Sequence, residues 1–285
     1  MYPPKFDYHR AGSVAEALEL KAANPDGKFL AGGHSLIPVM KLRLSDPGVL
    51  IDIGRIDDLK GISVDNGTTK IGALTTHSMV ESSGDLPDIL PETAGWIGDP
   101  MVRNRGTVGG NIAHADPASD LPTVFTALGA TMHVEGAGGS RSVSADDFFT
   151  DLFETDLGEE EILTAVTLPS KAKGTGTAYA KLFNPASRYA IVGAAVSVTM
   201  QGNKCEAASV AVGGLTAVAT KASAVAAALV GQKLDDEAIE AAAAKISDDL
   251  ANVDVMGDIH ASEAYRREMA PVMVARAIKK AVSRA

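Results

Sequence analysis

The sequence predicts a chain of the α+β class, and three observations carry that prediction. Short apolar runs bounded by glycine turns recur up to residue 168, interspersed with helical spacing. A polar, glycine-containing stretch, Pro169-Ser-Lys-Ala-Lys-Gly-Thr-Gly176, then interrupts the pattern. Beyond it, strand patterns come first and helical patterns after them. The 285 residues make two average domains or one large α/β unit, and the 169–176 stretch is the expected boundary.

Taken in order, Ser13 followed by Glu16 fits a capping box, and Val14, Ala17 and Leu18 recur at helical spacing until Asn24-Pro25. Phe29-Leu30-Ala31 reads as a short strand running into Gly32-Gly33-His34-Ser35. The turn Asp46-Pro47-Gly48 precedes a second strand, Val49 to Ile53. Ile62 to Val64 and Lys70 to Leu74 flank Asn66-Gly67, a pair that favours positive φ, and so form a hairpin. Thr131 to Glu135 and Arg141 to Val143 form another, and Glu160 to Leu168 reads as a strand. After the boundary, Thr177 to Leu182, Ala195 to Met200 and Ala207 to Val212 suit an antiparallel sheet. Thr220 to Val230, Asp236 to Leu250 and Ser262 to the C-terminus read as helices, with a kink or restart expected at Pro271. No internal repeat is evident.

Composition narrows the function. Hydrophobic residues make up 46% and charged residues 22%, as in an ordinary globular chain. With 26 basic and 36 acidic side chains the net charge is -10, which argues against nucleic acid and anionic membranes as partners. The opening MYPPKFDYHR lacks a secretory pattern, so a cytoplasmic location is expected. The single cysteine, Cys205, cannot form an internal disulfide or a thiolate-held iron–sulfur cluster, and reads as a buried small hydrophobe. The histidines show no metal-type spacing.

Two glycine-rich loops carry the chemistry. Ala31-Gly32-Gly33-His34-Ser35-Leu36 follows a strand, and Thr107-Val-Gly109-Gly110-Asn111 lies further along. Glycine lets the backbone approach a ligand and present N–H groups as a concave anion site, so two such loops suit a diphosphate clamped from both sides. Neither loop fits Gly-x-Gly-x-x-Gly or a P-loop, and tight turns alone would also use these glycines.

These loops, continuing as Leu36-Ile-Pro-Val-Met-Lys-Leu-Arg43 and Asp116-Pro-Ala-Ser-Asp-Leu-Pro122, resemble the FAD-binding subunits of molybdenum hydroxylases. The resemblance extends through Glu159-Glu-Glu-Ile-Leu163, Lys181 and Asn184-Pro-Ala-Ser-Arg-Tyr-Ala-Ile-Val-Gly193. It implies an α+β chain with a two-subdomain FAD-binding domain of the vanillyl-alcohol oxidase and p-cresol methylhydroxylase type. That domain would span 1–172, with subdomains of about 1–55 and 56–172, followed by a smaller α+β domain over 177–285. The implied FAD contacts are Ala31, Gly32, Gly33, His34, Ser35, Leu36, Ile97, Thr107, Gly109, Gly110, Asn111, Ala113, His114, Asp120, Leu163 and Lys181. Lys181 is implied near the flavin ring, where its charge would stabilise the reduced form; a solvated strand lysine is the alternative. No catalytic acid–base group or metal ligand is expected in this chain.

Also by resemblance, electrons reach FAD from a small subunit carrying [2Fe-2S] clusters and, before it, a large molybdopterin subunit, in a dimer of heterotrimers. They then leave to a quinone or another acceptor. A stand-alone FAD oxidase or reductase of the same fold, and a cofactor-free binding module, are the alternatives. Trp96 reads as packing or as a cover over the cofactor, and Arg103 and Arg105 as partners of phosphate or of acids.

Overall fold

The computed structural model describes residues 1–285. Strands β1 (Asp7–Arg10), β2 (Lys28–Leu30) and β3 (Val49–Asp52) form a parallel sheet in the order β1-β3-β2, with helices α1 (Val14–Ala23) and α2 (Leu36–Lys41) in the connections. Ser13 Oγ accepts from Glu16 N (3.1 Å), while the Glu16 carboxylate accepts from Gly12 N (2.7 Å), so α1 starts as its capping residues predict. β1 escapes sequence detection because all of its residues are exposed and no alternation marks it.

The second sheet is antiparallel. β4 (Ile62–Asp65) and β5 (Thr68–Gly72) form the predicted hairpin, with Asn66 at φ 48° and Gly67 at φ 80°. Short helices α3 (His77–Glu81), α4 (Ile89–Trp96), α5 (Pro100–Arg103), α6 (Val108–His114) and α7 (Asp120–Leu128) follow. They are unpredicted because each is brief and several contain Gly or Pro. α7 is buried over most of its length, so it has no polar face to reveal a helical period. β6 (Thr131–Gly136) and β7 (Gly139–Ser144) pair next, and the short α8 (Ala145–Phe148), β8 (Phe149–Asp151) and β9 (Glu154–Thr155) lead to β10 (Ile162–Leu168). The sheet order is β4-β5-β10-β6-β7.

The third sheet is β11 (Thr175–Phe183), β12 (Ala190–Gln201), β13 (Lys204–Gly213) and β14 (Thr220–Lys221), antiparallel in that order. Both faces are covered. Val192, Ala194, Val196 and Val198 of β12 join one core with the C-terminal helices, and Ala195 joins another with α7 and the second sheet. Two-sided burial makes β12 a continuous apolar run, longer than the Ala195–Met200 strand expected. α7 approaches closely: a Cβ on Gly213 would overlap Thr123 Oγ1.

The C-terminal helices are α9 (Ser223–Leu229), α10 (Asp236–Ala244), α11 (Ile246–Asp249) and α12 (Glu263–Val282). Three expectations are corrected here. Thr220 and Lys221 pair with β13 before α9 begins, and the predicted 236–250 helix divides at Lys245. α12 also runs through Pro271 without a restart, because Ala270, Met273, Val274, Ala277, Ile278 and Ala281 pack against the sheet and offset the lost backbone bond. No helix is long and apolar enough to cross a membrane.

Candidate functional site

The first glycine loop leaves β2 and enters α2, with Gly33 at φ 74° making the turn. The backbone N–H groups from Gly32 through Leu36 donate to no protein acceptor, and the Ser35 hydroxyl does not cap α2. A consecutive run of unpaired donors is a concave anion site. Gly32 lets this loop rest on the next one, since a Cβ there would overlap the Arg105 carbonyl oxygen.

The second loop plays a different part. Val108 N donates to Thr75 O (2.9 Å), Gly109 N to Ala73 O (2.7 Å), Gly110 N to Thr107 Oγ1 (3.1 Å) and Asn111 N to Thr107 O (3.0 Å). Its backbone donors are therefore satisfied within the protein. Gly109 serves close packing, because a Cβ would come within 2.5 Å of Ala73 Cβ. What this loop offers a ligand is side-chain chemistry. Ser119 Oγ donates to Asn111 Oδ1 (2.6 Å), which turns the Asn111 amide so that its NH2 group is the free end. Thr107 Oγ1 accepts from Gly110 and keeps its own O–H available.

Both loops open on one cleft of about 860 Å³, within the usual range for a cofactor site. Ala31, Gly32, Gly33, His34, Ser35, Leu36, Ile97, Thr107, Gly109, Gly110, Asn111, Ala113, His114, Asp120 and Leu163 all line it. Lys181 does not. Its side chain is 0% exposed, which excludes the solvated alternative, and its Nζ donates to Asp120 Oδ2 (2.8 Å), Arg188 O (2.6 Å) and Trp96 O (3.2 Å).

That arrangement follows from β-strand periodicity. Tyr179 and Lys181 lie two residues apart on β11 and so share a face. Tyr179 Oη donates to Asp120 Oδ1 (2.6 Å), so both carboxylate oxygens are held at the first residue of α7, where the helix dipole also favours negative charge. Burial pushes the Asp120 carboxyl up, against the pull of the Lys181 ammonium and the two hydrogen bonds. The triad ties α7 to β11 and, through the Arg188 carbonyl, fixes the turn that walls the cleft.

The structure places several further residues. Trp96 packs on Phe183 with ring centroids 5.4 Å apart and does not line the cleft. Arg103 pairs with Glu81 (2.7 Å) and the carbonyls of Ile97 and Gly98. Arg105 is exposed, His9 and His260 are exposed, and His133 is held by Thr167 and Ser142. Cys205 is 1% exposed, and burial raises its thiol pKa.

Other lining residues were missed. Tyr189 lies in the cleft wall, and burial, with the nearby Asp116 and Asp120 carboxylates, pushes its hydroxyl up to about 12, so it stays a protonated donor. Phe153 packs in a tilted arrangement against His114, with ring centroids 5.3 Å apart, and His77 is buried in the wall. The available signal was the place of Tyr189 inside the Asn184-Pro-Ala-Ser-Arg-Tyr-Ala-Ile-Val-Gly193 stretch that carries the family resemblance. His77 had none, since nothing local distinguishes it from a core histidine.

The chain is similar to known proteins over its whole length. Residues 4–171 match the model of the FAD binding domain in molybdopterin dehydrogenase, and residues 177–281 match the CO dehydrogenase flavoprotein C-terminal domain. The carbon monoxide dehydrogenase medium chain of Afipia carboxidovorans is 41% identical, with 100% of this chain and 99% of that one covered. The glyceraldehyde dehydrogenase medium chain of Sulfolobus acidocaldarius is 38% identical, covering 98% and 99%. The solved carbon monoxide dehydrogenase from Hydrogenophaga pseudoflava superposes with a TM-score of 0.95 at 40% identity over 100% of both chains.

Proposed function

The chain belongs to the FAD-binding medium subunits of the molybdenum hydroxylases, and from that premise we propose that it is the electron-exit subunit of such a complex. The supporting observation is the donor set of the cleft. N–H groups of Gly32 to Leu36 have no acceptor in the protein, and the Thr107 hydroxyl and Asn111 amide stand on the other loop of the cleft. A diphosphate suits this set, because it offers anionic acceptors to donors that have none. The division into an FAD-binding domain over 1–172 and a C-terminal domain over 177–285 fits the same reading, with the Ser187 to Tyr189 turn closing the cleft from the second domain.

Bound FAD supplies the exchange between single electrons, arriving from [2Fe-2S] clusters on a small subunit, and pairs of electrons passed to an acceptor such as a quinone. This chain's own residues position and insulate. The first loop and Asn111 hold the diphosphate, Leu163 and Ile97 supply apolar wall, and Tyr189 contributes a protonated hydroxyl. Lys181 acts through Asp120 and the Arg188 carbonyl, and so sets the shape of the wall. Substrate oxidation belongs to the large molybdopterin subunit, and relatives named for carbon monoxide and for glyceraldehyde leave the substrate class outside this chain.

The test is co-expression with the neighbouring subunits. The isolated chain is expected to purify with FAD, to stay oxidised when given carbon monoxide, aldehydes or N-heterocycles, and to be reduced by one of them within the complex. A colourless chain that takes up no FAD, or an isolated chain reduced by substrate alone, overturns the proposal.

A further inference from the structure

His77 opens α3. Thr76 Oγ1 accepts from Met79 N (3.3 Å), and His77 N donates to Gly106 O (3.0 Å), which stitches this helix end to the residue before the second glycine loop. The imidazole is thereby turned into the cleft wall, 3% exposed, against Gly106. Glycine is required there, since a Cβ would come within 2.8 Å of His77 Cδ2 and 3.0 Å of Nε2.

The ring makes no hydrogen bond within the protein. Nδ1 is sealed from solvent without a partner, whereas Nε2 is not sealed and belongs to a ring that lines the cleft. A neutral imidazole carries one N–H. Placed on Nδ1 it would be a buried orphan donor, the least tolerated kind of unpaired polar group, so the proton belongs on Nε2. Burial lowers the ring's pKa to about 4, and the charges of His34 and Arg103 act in the same direction. The cleft therefore contains a fixed, uncharged N–H donor between the two glycine loops, with nothing in the protein to receive it.

On the reading of this cleft as the FAD site, we propose that His77 is a cofactor-binding residue whose Nε2–H donates to an anionic oxygen of the FAD diphosphate. The ligand class is a phosphate oxygen because the adjoining donors, from Gly32 to Leu36 and at Asn111, select for anions.

Three substitutions in the full chain separate the two ring nitrogens. The Gln side-chain nitrogen reaches the position of Nε2, the Asn nitrogen that of Nδ1, and Phe supplies neither. FAD affinity of each deflavinated chain, read by fluorescence quenching, is expected to fall about tenfold or more for His77→Asn and His77→Phe. His77→Gln is expected to stay within about threefold of the parent. Imidazole 15N chemical shifts of the parent chain are expected to report the Nε2–H tautomer before FAD is added. Parent-like affinity in His77→Asn, loss in His77→Gln equal to that in His77→Asn, or an Nδ1–H tautomer overturns the role of His77 while FAD binding stands. A parent chain that binds no FAD overturns both readings. If His77→Phe does not fold, the Gln and Asn pair decides alone.

Discussion

Replacing Lys181 by Met removes one charge from a buried pair whose carboxylate, on Asp120, is only 4% exposed. The aliphatic stem is roughly conserved, so the change is chiefly electrostatic. Asp120 keeps only its bond from Tyr179, and the carbonyls of Trp96 and Arg188 lose a donor. Leaving a buried charge unpaired costs about 3–5 kcal/mol, equivalent to a fall in thermal midpoint of roughly 10 °C for a chain of this size. Circular dichroism melts of the deflavinated chain at pH 7 measure it. Adding Asp120→Asn is expected to recover part of the loss, leaving the double variant about 2 kcal/mol short of the sum of the single costs. The pH dependence carries the sign of the effect. Burial already raises the Asp120 pKa in the parent and loss of the Lys181 ammonium raises it further, so the variant loses more stability than the parent as pH rises through that window and its deficit shrinks toward pH 4. A midpoint within 2 °C of the parent, or additive single and double variants, would refute the buried-pair argument.

Further outcomes are expected elsewhere. Gly213→Ala drives a methyl into Thr123 Oγ1 and should cost about 1–3 kcal/mol by denaturant unfolding, with Thr123→Ala in the same chain restoring part of it. Ser13→Ala removes the acceptor for Glu16 N at the start of α1 and should cost about 1 kcal/mol in the same assay, independently of FAD. His77, ordinarily near 6.5 and here about 4, binds its proton more readily in the unfolded chain, so its contribution is fully present above pH 6.5 and is lost as pH falls toward 4. The parent should therefore lose about 3 kcal/mol across that range beyond what His77→Gln loses, and equal pH slopes would contradict it.

How much of the site was legible depends on the range of the interaction that makes it. A glycine doublet after a strand announces backbone donors, and the 31–36 loop carries them. The second doublet looked equivalent, yet its backbone donors are bound to Ala73, Thr75 and Thr107, a fact that depends on which segment packs beside it. Lys181 illustrates the same limit. Its partner lies 61 residues away, and either a solvated or a flavin-facing position was compatible with its local pattern. In the fold, hairpin turns and the α1 cap were readable because their causes lie within a few residues, whereas β1, α7 and the unbroken α12 were not.

Determined by the sequence alone were the mixed composition of strands and helices, the lack of thiols to hold a cluster, and a family resemblance centred on two glycine loops. Tertiary structure decided which loop has free donors, where the Lys181 charge is directed, and that the His77 ring lines the cleft with no partner in the protein. The physical reason is that backbone conformation and capping are set by neighbours in the chain. Hydrogen-bond satisfaction and burial are set by neighbours in space, and only packing brings Asp120, Tyr179 and Lys181 together.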